Sequence, residues 1–228
     1  MEIGSRQWQS LIIEGAQKLG IEIDESATAQ FSIHAIELVK WNRKINLTSI
    51  TQPRDIAVKH FIDSLASASF IPENARLLDI GSGGGFPGIP LKILKPSLSA
   101  MLIDSVRKKV SFLKHLLRTL KLEGIEVCQV RAENFFERAA FPDLFDVIIS
   151  RAMSSLDLFV KMALPLLAAR GTIIAMKGQV DAFELDQLRS NLPKDRYQIE
   201  VKSYRLPSIP ARRSMVMIRS NGSVPSQK

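Results

Sequence analysis

The chain has 228 residues, with 46% hydrophobic and 24% charged residues and a formal net charge of +8. This is enough chain for one sizeable core or a domain with a modest appendage, and the composition excludes a fibre or a disordered polymer. No run of 18 apolar residues occurs and the opening MEIGSRQW has no signal-peptide core, so a cytosolic protein without a membrane anchor is expected. A single cysteine, Cys128, excludes an internal disulfide and a cysteine-rich zinc site. The charge is uneven. Seven basic face nine acidic residues before position 76, so the basic excess, +10, lies in the later part and favours a polyanionic or phosphorylated partner.

In chain order, residues 1–75 read as a helical cap. Trp8, Leu11, Ile12 and Ala16, then Phe31, Ala35, Leu38, Val39 and Trp41, recur at helical spacing. Asp24 to Ser26 can cap the second helix, and the turn formers from Asn46 to Pro53 introduce a third that ends near Phe70. From Arg76 short apolar runs alternate with amphipathic segments, which predicts a doubly wound, mostly parallel sheet. The expected strands are Arg76–Ile80, Ser99–Asp104, Glu126–Arg131, Asp146–Ser150 and Thr172–Lys177, followed by an antiparallel pair, Gln198–Tyr204 and Ser214–Arg219. Intervening helices are expected at Lys108–Leu120 and Leu156–Leu167. The expected division is a cap over 1–75, an α/β domain over 76–220 and a disordered tail over 221–228. No internal repeat suggests a solenoid.

The strongest local signal is Leu77-Leu-Asp-Ile-Gly-Ser-Gly-Gly-Gly-Phe-Pro-Gly88, a buried strand followed by a glycine-dense turn and a proline suited to a helix start. Two chemistries compete for it. Gly83-x-Gly85-x-x-Gly88 matches the dinucleotide fingerprint, and Asp104 lies 21 residues after Gly83, where a carboxylate can hold ribose hydroxyls. Asp79, inside the strand, instead makes the motif Asp-x-Gly-x-Gly-x-Gly, the form used for S-adenosylmethionine, whose ammonium a nearby carboxylate can favour.

Trp41-Asn-Arg-Lys-Ile-Asn-Leu-Thr48, His60-Phe-Ile-Asp-Ser-Leu65, the glycine loop through Pro90, Asp104-Ser-Val-Arg-Lys-Lys109, Arg131-Ala-Glu-Asn-Phe135, Ser150-Arg-Ala152 and Lys177-Gly-Gln179 resemble the RsmG (GidB) family of small-subunit ribosomal RNA methyltransferases. The resemblance runs from about Trp41 to Arg219. It implies a class I, Rossmann-like S-adenosylmethionine-dependent methyltransferase fold with a seven-stranded sheet whose last strand is antiparallel. It also implies methyl transfer to N7 of a guanine in 16S ribosomal RNA near the decoding site. The cofactor contacts it implies fall on Gly81, Phe86, Ala132, Glu133 and Arg151, with Gly83 and Asp104 added from the glycine motif. In that reading Phe86 covers the cofactor, Ala132 and Glu133 hold the adenine edge, and Arg151 faces the methionine end or the guanine as the candidate catalytic residue.

N7 of guanine carries a lone pair and no proton, so the absence of an obvious general base fits this target. Cys128 reads as a core residue and not as the nucleophile that carbon methylation requires. The Asn- or Asp-Pro-Pro-aromatic motif of exocyclic amine methylation is replaced by Ser150-Arg-Ala-Met. His60 and Asp63, three apart on the third helix, read as packing, and His34 and His115 as surface residues. RNA phosphates would meet Arg107, Lys108, Lys109, Arg212 and Arg213, with Lys202 and Arg205 nearby. Trp41 and Tyr204 are candidate stacking residues, with Arg43 and Lys44 beside the cleft. The expected partner is 16S RNA or the small ribosomal subunit, bound by a monomer with no stable protein partner and no metal. Two rivals remain: a nicotinamide-dependent oxidoreductase and a noncatalytic RNA-binding or ribosome-assembly module.

Overall fold

A computed structural model of the chain describes residues 1–131, 144–151, 155–207, 210 and 212–222. Ser5 caps α1 (Arg6–Gln17), its Oγ accepting from Trp8 N, and Asp24 caps α2 (Glu25–Ile45), its Oδ1 accepting from Ala27 N at 2.7 Å. The third helical stretch starts at Pro53 as expected but is not one regular helix. A short α3 (Pro53–Ile56) opens into a π-helical segment, Ala57–Ile62, then α4 (Asp63–Leu65) and a 3₁₀ turn, Ala68–Phe70. Among the described residues no helix is long and apolar enough to cross a membrane.

Among the described residues seven strands follow: β1 (Arg76–Ile80), β2 (Ser99–Asp104), β3 (Ile125–Gln129), β4 (Phe145–Arg151), β5 (Leu167–Lys177), β6 (Tyr197–Arg205) and β7 (Arg212–Ser220). Their order is β3-β2-β1-β4-β5-β7-β6, parallel except for β7, which runs antiparallel to both neighbours. Helices α5 (Gly88–Leu94), α6 (Arg107–Leu120), α7 (Leu156–Ala163) and α8 (Ala182–Asn191) make the crossovers. The helix expected to reach Leu167 ends at Ala163, because Pro165 carries the chain into a 3₁₀ turn and β5 starts at Leu167. Of the tail, Asn221 and Gly222 are described; positions 223–228 lie outside the described residues.

Successive residues of the central strands supply two cores, which is why these strands read as continuous apolar runs. Leu77, Val147, Ile149, Ile174 and Met217 face a core shared with Trp8, Ile12, Phe31 and Leu38 of the first two helices. Leu78, Ile148, Ile173 and Val216 face the opposite core, with Phe159 and Val160 of α7. The N-terminal helices thus cover one sheet face. Cys128, expected in the core, is exposed on β3, which lies at the edge of the sheet.

The chain reverses between β1 and α5 through residues that need glycine. Gly85 has φ +90°, and a Cβ there would lie 2.7 Å from Ile89 Cδ1 and 3.3 Å from His34 Cε1. Both neighbours are fully buried and have nowhere to retreat. Gly85→Ala is expected to destabilise the fold by about 2 kcal/mol, lowering the urea midpoint at an unchanged slope. An unchanged midpoint would show that the turn tolerates a side chain.

Candidate active site

Strand order reverses between β1 and β4, and a cleft of about 550 Å³ opens at the carboxyl ends of these strands. Gly81 to Gly84 form one wall, Arg151 at the end of β4 and Met176 to Gly178 at the end of β5 another, and Tyr204 and Arg213 of the antiparallel pair a third. Leu47 to Ile50, Lys59, His60 and Asp63 close it from the N-terminal helices, and Lys109 stands at the start of α6.

Beneath the cleft the loop is pinned by two carboxylates. Asp104 accepts from Gly83 N through Oδ2 at 3.0 Å and from Val106 N through Oδ1 at 2.8 Å. Asp79 accepts from Gly88 N at 2.9 Å, while its Oδ1 is buried with no hydrogen-bond partner among the described residues. Burial raises the Asp79 carboxyl to about 7, against the opposing pull of the Gly88 N–H. Asp79, read as a carboxylate near the loop that can favour a ligand ammonium, does not line the cleft. It points to the sheet face under α5, and a Cβ on Gly88 would sit 2.7 Å from its Oδ2. Asp104 likewise braces the loop from below, being almost fully buried.

Phe86, expected to lie over a ligand, lines the cleft while only 4% exposed. It is the middle of a stack. His34 of α2 lies 4.5 Å from its centroid at 10°, and His60 of the π segment 4.4 Å away at 11°. His34, expected at the surface, is fully buried, because its Nε2–H donates to Gly84 O at 2.7 Å and ties α2 to the loop. His115, also expected at the surface, is half-buried and pairs with Glu37 at 2.7 Å. Trp41, a candidate for stacking on a base, packs 5.7 Å from Phe112 and 5.2 Å from His115 and does not line the cleft.

Arg151 links sheet and helices. Its Nη1 donates to Lys59 O at 2.8 Å and its Nη2 to His60 Nδ1 at 2.9 Å. Guanidinium only donates, so Nδ1 of His60 accepts and its Nε2–H donates to Thr48 Oγ1 at 2.9 Å, which fixes a neutral tautomer. Burial and the adjacent Arg151 lower His60 to about 2; burial lowers His34 to about 4. Asp63 Oδ1 accepts from Tyr204 OH at 2.7 Å and lies 3.7 Å from Arg213 Nε; Oδ2 lies 3.6 Å from Arg151 Nη1. Burial, reinforced by Asp63, drives the Tyr204 phenol upward. His60 and Asp63, read as packing residues from their spacing, both line the cleft. Their partners lie in β4, β6 and β7, about 90 to 150 positions away, and no local pattern reports them.

Of the other expected residues, Gly81, Gly83, Lys109 and Arg213 line the cleft with Arg151, while Arg107, Lys108 and Arg212 are exposed outside it. Ala132 and Glu133 lie outside the described residues. Lys202 is placed over the Phe70 ring, 4.5 Å from its centroid.

The strand order, the glycine turn after β1 and the cleft at the switch point define a Rossmann-like methyltransferase fold. Solved structures share it: a putative O-methyltransferase from Klebsiella pneumoniae has a TM-score of 0.62 at 13% identity, covering 95% of this chain and 98% of that one. A SAM-dependent methyltransferase from Aquifex aeolicus has a TM-score of 0.56 at 14% identity, covering 76% and 96%. Residues 27–213 match the family described as rRNA small subunit methyltransferase G (GidB), and the chain belongs to that family. The match takes in most of α2, upstream of the motif residues that start at Trp41. Among curated relatives, the Ribosomal RNA small subunit methyltransferase G of Geobacter sp. (strain M21) is 43% identical over 214 residues, 93% of this chain and 98% of that one. The protein of the same name from Oceanobacillus iheyensis is 35% identical over 218 residues, 94% and 92%. The chain is a methyltransferase, and the oxidoreductase and noncatalytic alternatives are set aside.

Both stacked histidines are neutral in the folded chain and charge at 6.5 when unfolded, so stability is lost as pH falls below 6.5. Asp79, raised above its unfolded value of 3.8, works oppositely: stability falls as pH rises toward about 7. Two histidines outweigh one carboxyl, so between pH 6.5 and 5 the folding constant is expected to fall by about tenfold per pH unit. Urea unfolding across this range should show that slope in the native chain and its loss in His60→Gln; equal slopes would contradict the assignment.

Proposed function

We propose that this chain transfers the methyl group of S-adenosylmethionine to N7 of a guanine in 16S ribosomal RNA, near the decoding site of the small subunit. The observation that carries this reading is the cleft at the switch point, with its glycine wall and its cations Lys59, Lys109, Arg151, Lys177 and Arg213, in a member of the rRNA small subunit methyltransferase G family. The residues present fit the cofactor. Gly83 has φ +55°, and a Cβ there would meet nothing nearer than Gly81 O at 3.8 Å, so bare backbone faces the cleft. Gly81 and Gly83 would hold the cofactor against the loop, with Phe86 as floor. The unused lone pairs of Asp104 would take ribose hydroxyls, and Ala132 and Glu133 the adenine edge. When bound, the cofactor supplies an electrophilic methyl on a sulfonium.

The protein's contribution is positioning and electrostatics. N7 would take the methyl with its own lone pair, and the cofactor would supply both the electrophilic carbon and a sulfur that leaves with the bonding electrons, so the residues of the cleft need only hold the two in place. No proton moves. This suits a cleft whose imidazole is not free: His60 accepts from Arg151 on one side and donates to Thr48 on the other. Catalysis then rests on aligning N7, carbon and sulfur, with Arg151 as the residue that holds the reacting groups. Lys109 and Arg213 within the cleft, and Arg107, Lys108 and Arg212 outside it, would meet RNA phosphates and set register without reading sequence. Residues 1–75 serve as the cap that closes the cleft, and the enzyme acts as a cytoplasmic monomer.

Purified protein, labelled S-adenosylmethionine and small subunits from cells lacking this methylation should give label at guanine N7 of 16S RNA, located by digestion and mass spectrometry. Gly81→Asp is expected to abolish cofactor binding. Arg151→Ala is expected to slow transfer by about tenfold or more with subunit affinity changed by less than about threefold. Normal activity in both variants would overturn the site assignment.

A further inference from the structure

We propose that Asp63 reads the target base, its carboxylate accepting from the Watson–Crick edge of guanine, N1–H and N2–H. The inference rests on the guanine-N7 reading above and deepens it. N7 must present a free lone pair to the methyl group, so a donor placed on N7 would occupy the atom that reacts. Guanine must then be told from adenine at its other edge, where it offers two donors side by side and calls for an acceptor. The charged side chains lining the cleft are five cations and one anion among the described residues, and the anion is Asp63. Among the described residues the other carboxylates near the loop have other tasks: Asp104, which holds Gly83 N and Val106 N, is given to the ribose in the reading above, Asp79 Oδ2 holds Gly88 N, and neither lines the cleft. Thr48 Oγ1 already accepts from His60 Nε2 and Ile50 N.

Asp63 is held for this role. Tyr204 OH donates to Oδ1 at 2.7 Å and fixes the carboxylate, while among the described residues Oδ2 has only Arg151 Nη1 at 3.6 Å, beyond hydrogen-bond reach. Oδ2 therefore keeps its acceptor capacity. Arg213 and Arg151 flank the carboxylate and balance its charge before the base arrives. The chemistry strengthens the contact as it proceeds. Methylation at N7 makes the purine cationic and its N1–H more acidic, so a carboxylate on that edge gains attraction in the transition state that it lacks in the ground state.

The test uses the full chain and small subunits rebuilt with 16S RNA carrying either guanosine or inosine at the methylated position. Inosine keeps N7, O6 and N1–H and lacks only the N2 amine. The native enzyme is expected to prefer guanosine by about tenfold or more in kcat/KM. Asp63→Asn places an amide donor against the base donors, because Tyr204 keeps the carbonyl oxygen. It is expected to lose rate on guanosine and narrow the preference to less than about threefold. The preference is a ratio within one preparation, so a smaller folded fraction cancels. Equal loss on both substrates, with the preference intact, means that Asp63 acts only through Arg151 and Arg213 and overturns the proposal, as does a native enzyme indifferent to the N2 amine. No label on guanosine from the native enzyme overturns the guanine-N7 reading itself, and this proposal with it.

Discussion

The ring of Phe86, pressed between the imidazoles of His34 and His60, is the contact on which the site depends. It joins three parts of the chain that have no local reason to meet: α2, the π-helical segment and the loop after β1. Each stacked pair contributes on the order of 1 kcal/mol, which is modest. Its larger consequence is geometric, because both imidazoles are also hydrogen-bonded outward. His34 holds the carbonyl of Gly84, and His60 holds Thr48 on one side and Arg151 on the other. Turning either imidazole would break these hydrogen bonds.

That arrangement separates two tasks that the cleft must perform at once. The histidines are consumed in construction and stay neutral, so they add no charge to the cleft. The cations give the cleft its positive field. They come from several elements, Lys59 from the π segment, Lys109 from α6, Arg151 from β4, Lys177 from β5 and Arg213 from β7, so the positive field surrounds the cleft. Asp63 lies within that field, and two arginines and a phenol reduce the cost of burying it.

The π-helical segment supplies the unusual local geometry. A wider turn over Ala57–Ile62 lets Lys59 offer its carbonyl to Arg151 while His60 and Asp63 reach the cleft from the same stretch. Regular helical spacing permits a His60–Asp63 pair, but the structure directs both toward β4, β6 and β7 instead.

Much of the sheet was legible in the residue order. β1 and β2 fall on their expected bounds and the antiparallel end pair is present, because buried strands of a doubly wound sheet leave continuous apolar runs between turn residues. The glycine loop was legible for a related reason: positive φ and close backbone approach admit few other residues, so the requirement is written locally. Arg151 and Gly81 could be placed in the cleft from motif alone. The roles of His34, His60, Asp63 and Tyr204 could not, nor could the burial of Asp79 or the exposure of Cys128. Each depends on which element lies opposite, and strand order and helix docking are settled by tertiary packing. Sequence by itself determined the elements, the glycine turn and the family pattern, through constraints that act within a few residues. Only the folded chain decided which polar groups face the cleft and which are spent holding it open, because hydrogen bonds and burial join residues that the sequence keeps far apart.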